Sequence, residues 1–205
     1  MKKRLLFIAL VLLSTQFFAQ SNWKKFWKES GPIKKWVVLH PFKANKALKI
    51  SLEANRVSDS IAKTPLLDND LAGGQVDAFR HAYWMARLHQ EIGKCAALSL
   101  GKAHERANYR AFKKAQFENN ISPDKPSKEM DLFNNKAGVS LTKKGVFRSK
   151  EGLMYKIANA ILKGDLKIIK KDASGNYLTC DNEKIPPEEL LHIWDNKKCV
   201  VSSKK

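Results

Sequence analysis

Residues Gly73 to Gly93 read GGQVDAFRHAYWMARLHQEIG, and this stretch decides the fold. A diglycine marks tight backbone packing or an entry turn, and apolar residues then recur at helical spacing up to Gly93, so the spacing predicts a helix over Gln75 to Ile92 with Gly93 as its C-terminal cap. On that helix Asp77 precedes Arg80 by three residues and His81 by four, which puts all three on one face. An aspartate one turn from a histidine can fix its tautomer and raise its basicity, as for general bases and metal-bound imidazoles.

Working downstream, a helix is expected from about Cys95 to Glu118, where Asn119, Asn120, Ser122 and Pro123 break the pattern. Ser127 is read as the cap of a short helix carrying Met130 to Ala137 and stopping at Gly138, and Ser149 as the cap of one from Lys150 to Lys163, stopped by Gly164. Beyond it, Lys167 to Lys170, a turn at Asp172 to Asn176 and then Tyr177 to Cys180 carry a β-hairpin signal. Pro186 and Pro187 open a last helical turn through Trp194, and the tail from Ser202 is expected to fray.

Upstream, Asp68 and Asp70 invite comparison with a calcium loop, but Ala72 and Phe79 stand where an EF-hand needs oxygen ligands. Pro41 suits the first turn of a helix running to about Ala62. Before it, Trp23, Phe26, Trp27 and Trp36 alternate with lysines and are expected to cover the core, as are Phe79, Tyr83, Trp84 and Phe133. His40, His89 and His192 are isolated and take ordinary structural or surface roles by default. The fold expected is mostly α, one domain of five or six helices with a small C-terminal β-hairpin. Its divisions are a signal peptide over 1–20, an aromatic and basic segment with a helix over 21–72, a helical core over 73–164, and the hairpin and tail over 165–205.

The signal-peptide reading rests on Lys2, Lys3 and Arg4 followed by the apolar run Leu5 to Leu13, with Ala19 near a cleavage point at Gln20. That run is far shorter than the roughly 20 residues needed to span a bilayer. No cysteine follows it for acylation, so the expectation is an exported, periplasmic or secreted protein without a transmembrane anchor. The formal charge of +18 falls only to +15 without residues 1–20, which hold three basic and no acidic residues. Such an excess attracts anionic envelope components, whereas lysines spread singly and in pairs argue against specific nucleic-acid recognition. Of three cysteines, Cys180 and Cys199 are the expected pair in an oxidising compartment, and Cys95 reads as a buried thiol.

Chemically capable residues recur on the next two helices as His104, Glu105 and Asn108, then Asp131, Asn134 and Asn135. Three consecutive helices with short connections pack together, so these side chains can converge. Two imidazoles with one or two carboxylates suit a zinc, manganese or iron site holding an activated water, and His81, His104 and Asp131 are the ligand set expected. The order of these residues is loosely analogous to that of HD-type metal phosphohydrolases, with Glu105 in place of an aspartate. The same residues also suit a satisfied polar network that only ties helices together. No HExxH, GxSxG or P-loop pattern is present.

The segments GGQVDAFRHAYWMARL, LGKAHERANY and MDLFNNKAG resemble a bacterial domain of unknown function, DUF6973, over roughly Gly73 to Gly138. The resemblance implies that Asp77, Arg80, His81, His104, Glu105, Asp131, Asn134 and Asn135 are motif positions. Similar segments in exported and polymorphic-toxin-like chains imply an enzymatic or toxic activity. The function expected is therefore a hydrolase, metal-dependent in one form, acting on a cell-envelope or extracellular substrate. In it His81 is base or ligand oriented by Asp77, Glu105 an acid or base, and Arg80 with the asparagines the holder of an anionic group. The alternatives are a non-enzymatic basic domain that binds the envelope, and a toxin-like effector.

Overall fold

A computed structural model describes residues 30–115, 122–147 and 149–204. The expected signal peptide, Trp23, Phe26, Trp27 and the end of the helix at Glu118 lie outside them. Six helices are described: α1 (Gly31–Leu39), α2 (Pro41–Ile61), α3 (Gln75–Ile92), α4 (Lys94–Lys113), α5 (Lys125–Ser140) and α6 (Lys150–Lys163). Two short strands follow, β1 (Lys167–Ile169) and β2 (Val200–Ser202), with a single 3-10 turn at Pro187–Glu189 between them. None of the described helices is long and apolar enough to cross a membrane.

The quoted stretch forms the central helix. Thirteen of the eighteen residues of α3 are buried, which follows because α2, α4, α5, α6 and β1 all pack on it. On one side Phe79 and Tyr83 join Leu153, Ile157 and Ile161 of α6 and Leu166 before β1; on the other Met85 and Leu88 join Trp36, Ile50 and Leu100. Gly93 adopts φ 86°, accessible to glycine at little cost, and this one residue turns the chain from α3 straight into α4.

The ends of α5 differ from expectation. Asp124, not Ser127, is the cap, its Oδ1 accepting the backbone N–H of Ser127 at 2.8 Å. The helix also continues through Gly138 to Ser140. Gly138 is a packing residue: a Cβ built there would stand 2.1 Å from the carbonyl oxygen of Ala82 on α3. Ser149 caps α6 and Gly164 ends it, as expected.

The small β element near the C-terminus is antiparallel, but β1 pairs with β2 (Lys167 with Ser202, Ile169 with Val200) rather than with Tyr177 to Cys180. The residues expected to be its partner make single bridges, Lys171 with Tyr177 and Leu178 with Lys184. A disulfide joins Cys180 to Cys199 just ahead of β2. Pairing with β1 also orders the tail: Ser203 is fully buried and its hydroxyl donates to the Ile161 carbonyl. Two burial expectations are corrected, since Cys95 and Phe133 are exposed, while Trp84 packs against both core clusters as expected though only half-buried. Cys95 and Phe133 lie on the outer faces of their helices, whereas the indole of Trp84 reaches the rim to donate to Ser51 Oγ.

Candidate functional site

The close crossing of α3 and α5 brings Asp77 and His81 of one helix against Asp131 and Asn135 of the other. Asp77 is anchored from behind, where Oδ2 accepts the Gly73 N–H at 2.8 Å. Its Oδ1 forms a very short ion pair with Arg80 Nη2. The same Nη2 lies 2.9 Å from His81 Nε2, and because a guanidinium can only donate, Nε2 is the acceptor there. The proton of this imidazole is thereby assigned to Nδ1, which donates to Asn135 Oδ1 at 3.3 Å.

That tautomer turns the Nε2 lone pair toward two carboxyl groups, with Asp131 Oδ1 at 3.2 Å and Asp77 Oδ1 at 3.6 Å. Lone pairs gathered in one buried space repel unless a proton or cation sits among them. One ligand atom from each of Asp77, His81 and Asp131 falls within 4.8 Å of the others, and all three residues are buried. Two donors on a tetrahedral zinc ion at about 2.0–2.1 Å stand about 3.4 Å apart, close to the two carboxylate distances from His81 Nε2.

Glu105 of α4 approaches from a third side and is almost wholly buried. Its Oε2 accepts from Asn108 Nδ2 at 3.3 Å. Three buried polar atoms here lack a hydrogen-bond partner: Glu105 Oε1, Asp131 Oδ1 and Asn135 Nδ2. Buried polar groups are paired in the great majority of cases, so orphans concentrated in one place mark a position for something further.

Burial sets the protonation states, and neighbouring charge adjusts them. Burial depresses His81 well below 6.5, with Arg80 and His104 adding to the effect. His104 is lowered to about 4 by burial and then by Arg80. Burial raises the Asp131 carboxyl well above its ordinary value, helped by the charges of Asp77 and Glu105. Glu105 is pushed up to about 7 by burial, against the Asn108 hydrogen bond and the charges of Arg80 and Lys128. Burial opposes the charge of Arg80, but Asp77, Asp131 and Glu105 outweigh it and keep the guanidinium protonated. Two imidazoles whose charged forms are disfavoured thus sit beside two carboxyl groups whose protonated forms are favoured, Glu105 up to about 7.

Of the residues expected from sequence, Asp77, Arg80, His81, Asp131 and Asn135 are in direct contact. Glu105 stands beside them, while His104 takes another place. Its ring centre is 6.3 Å from that of His81 and it meets Trp84 edge-on; it is not one of the three clustered ligand residues, and Asp77 takes the place expected for it. Asn134 is occupied elsewhere: Nδ2 donates to the Lys167 carbonyl and Oδ1 accepts the Lys167 N–H, both at 2.9 Å, which ties β1 to α5. Its amide therefore has no part at His81.

Asp68, weighed in the sequence only against a calcium loop, has a carboxylate that accepts the Gln75 N–H at 2.9 Å and so covers the start of α3. Sequence reasoning passed over the small residues at the crossings. A Cβ on Gly101 would come within 3.0 Å of Asn135 Nδ2. A groove of about 690 Å³ lies off the cluster, between Asp68, Asp70, Ile169, Lys171 and Lys204. The His81 cluster instead meets solvent at Arg80, whose side chain is 30% exposed.

These features define an α-helical domain built around a buried histidine and carboxylate cluster at the crossing of α3 and α5. The family model for DUF6973, a domain of unknown function, matches residues 34–165, and the chain belongs to that family. The match runs from within α1 to just beyond α6, wider than the three motifs and ending short of the disulfide-linked ribbon. No curated protein and no solved structure was found to match.

Proposed function

We propose that this chain is a hydrolase of cell-envelope or extracellular substrates whose centre is the Asp77, His81 and Asp131 cluster. The carrying observation is that Asp131 Oδ1 and Asn135 Nδ2, on residues that touch His81, and Glu105 Oε1 on the facing helix are buried without hydrogen-bond partners. A purely structural network gains stability by satisfying such groups and has no reason to leave three unpaired together.

In this reading Asp77, His81 and Asp131 would hold a divalent cation such as zinc or manganese, which when bound would supply Lewis-acid activation of water. Glu105, held near neutrality by burial, takes or gives the proton. Arg80 has a partly exposed side chain able to swing from Asp77 toward an anionic substrate group, and Asn135 Nδ2 is a free donor for a developing oxyanion. The disulfide and the N-terminal apolar run support export to an oxidising compartment.

A second, metal-free reading is favoured by one contact. Arg80 Nη2 already bridges Asp77 and His81, so a guanidinium fills the position of the cation. There Asp131, 3.2 Å from His81 Nε2, shares its proton with that nitrogen as a general acid–base pair once Arg80 releases the lone pair to engage substrate.

The test is a turnover screen of the full chain on phosphoester, carboxylic ester and glycan substrates, with and without added Zn²⁺ or Mn²⁺. Turnover that falls by about 10²-fold or more in folded His81→Ala supports the proposal, and its dependence on metal separates the two readings. Turnover unaffected by His81→Ala, or none on any class, counts against it.

A further inference from the structure

The corner between α1 and α2 carries Val38, Leu39 and Phe42 at 67%, 65% and 100% exposure. Its underside is firmly held. Trp36 is buried, donates from Nε1 to Ser99 Oγ on α4 at 2.8 Å, and stacks on His40 with ring centres 4.5 Å apart. His40 Nδ1 lies 3.0 Å from the Trp36 carbonyl, and its own carbonyl accepts the N–H groups of Lys43 and Ala44. The exposed apolar side chains thus project from an anchored turn.

The segment that forms the tip carries charge of one sign. Lys34, Lys35, Lys43, Lys46 and Lys49 are present, and no acidic residue occurs from Ser30 to Leu52. Residues four apart in a helix lie on one face, so Lys34 stands behind Val38, Lys35 behind Leu39 and Lys46 behind Phe42, each set back by about 6 Å of helix. Lys46 also reaches Glu91 at 2.9 Å, while Lys35, Lys43 and Lys49 are exposed. An interfacial element sinks its apolar side chains roughly 5–10 Å into the boundary between headgroups and acyl chains, and exposed lysines flanking those side chains then meet the lipid phosphates.

We propose that this corner docks the protein on an anionic lipid bilayer, with Val38, Leu39 and Phe42 inserted and Lys35, Lys43 and Lys49 on the phosphates. Charge complementarity selects the occupant. The chain has a formal charge of +18 that draws it to an anionic surface, and the corner combines that charge with a wedge of apolar side chains that a soluble polyanion would leave in water. The docking surface is separate from the His81 cluster and does not depend on it.

The test is sedimentation of the full chain with phosphatidylcholine vesicles, with or without an equal part of phosphatidylglycerol. The wild type is expected to pellet with the anionic vesicles only and to be released by high salt. Phe42→Ala should weaken partitioning by about tenfold or more, the effect of exposing rather than burying one large apolar side chain. Lys35→Glu with Lys43→Glu should abolish it. Because Phe42 is fully exposed, the unfolding midpoint of its variant should match the wild type. Failure to pellet with anionic vesicles overturns the proposal. So does pelleting that Phe42→Ala leaves unchanged, the result of diffuse attraction by the basic surface or of contact through another segment.

Discussion

Gly138→Ala tests the crossing that creates the cluster. Alanine is the better helix former by about 1 kcal/mol, so on propensity alone this substitution inside α5 would stabilise the protein. The new methyl, however, would stand 2.1 Å from Ala82 O, 2.7 Å from its Cα and 2.8 Å from its carbonyl carbon. These are backbone atoms of a buried helix, so no rotamer change relieves the clash. Ordinary contact needs at least about 3.5 Å between carbons, and α5 must therefore withdraw from α3 by about 1 Å. Overpacking of this kind costs about 1–3 kcal/mol and more where backbone must move, which leaves a net loss of about 2 kcal/mol. In a chain of this length that lowers Tm by roughly 4–8 °C. Urea unfolding followed by circular dichroism measures it directly. A Gly138→Ala protein as stable as the wild type, or more so, would refute the close crossing and with it the placement of Asp131 against His81.

Asn134→Ala should cost about 1–2 kcal/mol in urea unfolding by leaving the Lys167 N–H and carbonyl without partners, while metal affinity at the cluster stays within a few-fold of wild type. Replacing Cys180 and Cys199 together by serine should cost about 3 kcal/mol, and reductant should lower the melting temperature of the wild type but not of the double variant. Glu53 supplies a pH signature. Burial pulls its carboxyl up, but the hydrogen bonds of Tyr83 and Arg87 and the charges of Arg87 and Lys150 win and hold it below 4.5. A folded value below the unfolded one means stability present above about pH 4.5 and lost as pH falls through the folded value. Acid titration of the unfolding midpoint should show that loss in the wild type and a reduced loss in Glu53→Gln.

The mostly helical class, the span of α3 and the disulfide were legible because each has a local cause. The helix has a continuous period and a glycine that can take positive φ, and the cysteines lie close in sequence. What escaped depends on partners distant in sequence. Tyr177 to Cys180 carries a strand pattern, yet the edge of β1 is taken by residues 200–202, whose pairing with 167–169 no turn signal announces. Gly138 reads as a stop signal until Ala82 is known to lie against it. Asp124 was hidden because Ser127 is an equally good cap by residue type, and only the chain path decides between them.

At the site, the shared face of Asp77, Arg80 and His81 follows from helical spacing alone. The contact of His81 with Asp131 and Asn135 needed only the idea that consecutive helices pack. The exchange of Asp77 for His104 depends on rotation of α4 about its own axis, which spacing within α4 does not reveal. The two asparagines of α5 are adjacent in sequence and divide their work, Asn135 toward His81 and Asn134 toward β1. Residue type cannot separate such neighbours.

The most direct test of the central claim is calorimetric titration of Zn²⁺ into the full chain, wild type beside Asp131→Asn and His104→Ala, with unfolding curves run in parallel. The expected result is about one ion per wild-type chain, lost in a folded Asp131→Asn protein and kept in His104→Ala. Absence of binding by the wild type, or binding that survives Asp131→Asn, would contradict a metal centre at Asp77, His81 and Asp131.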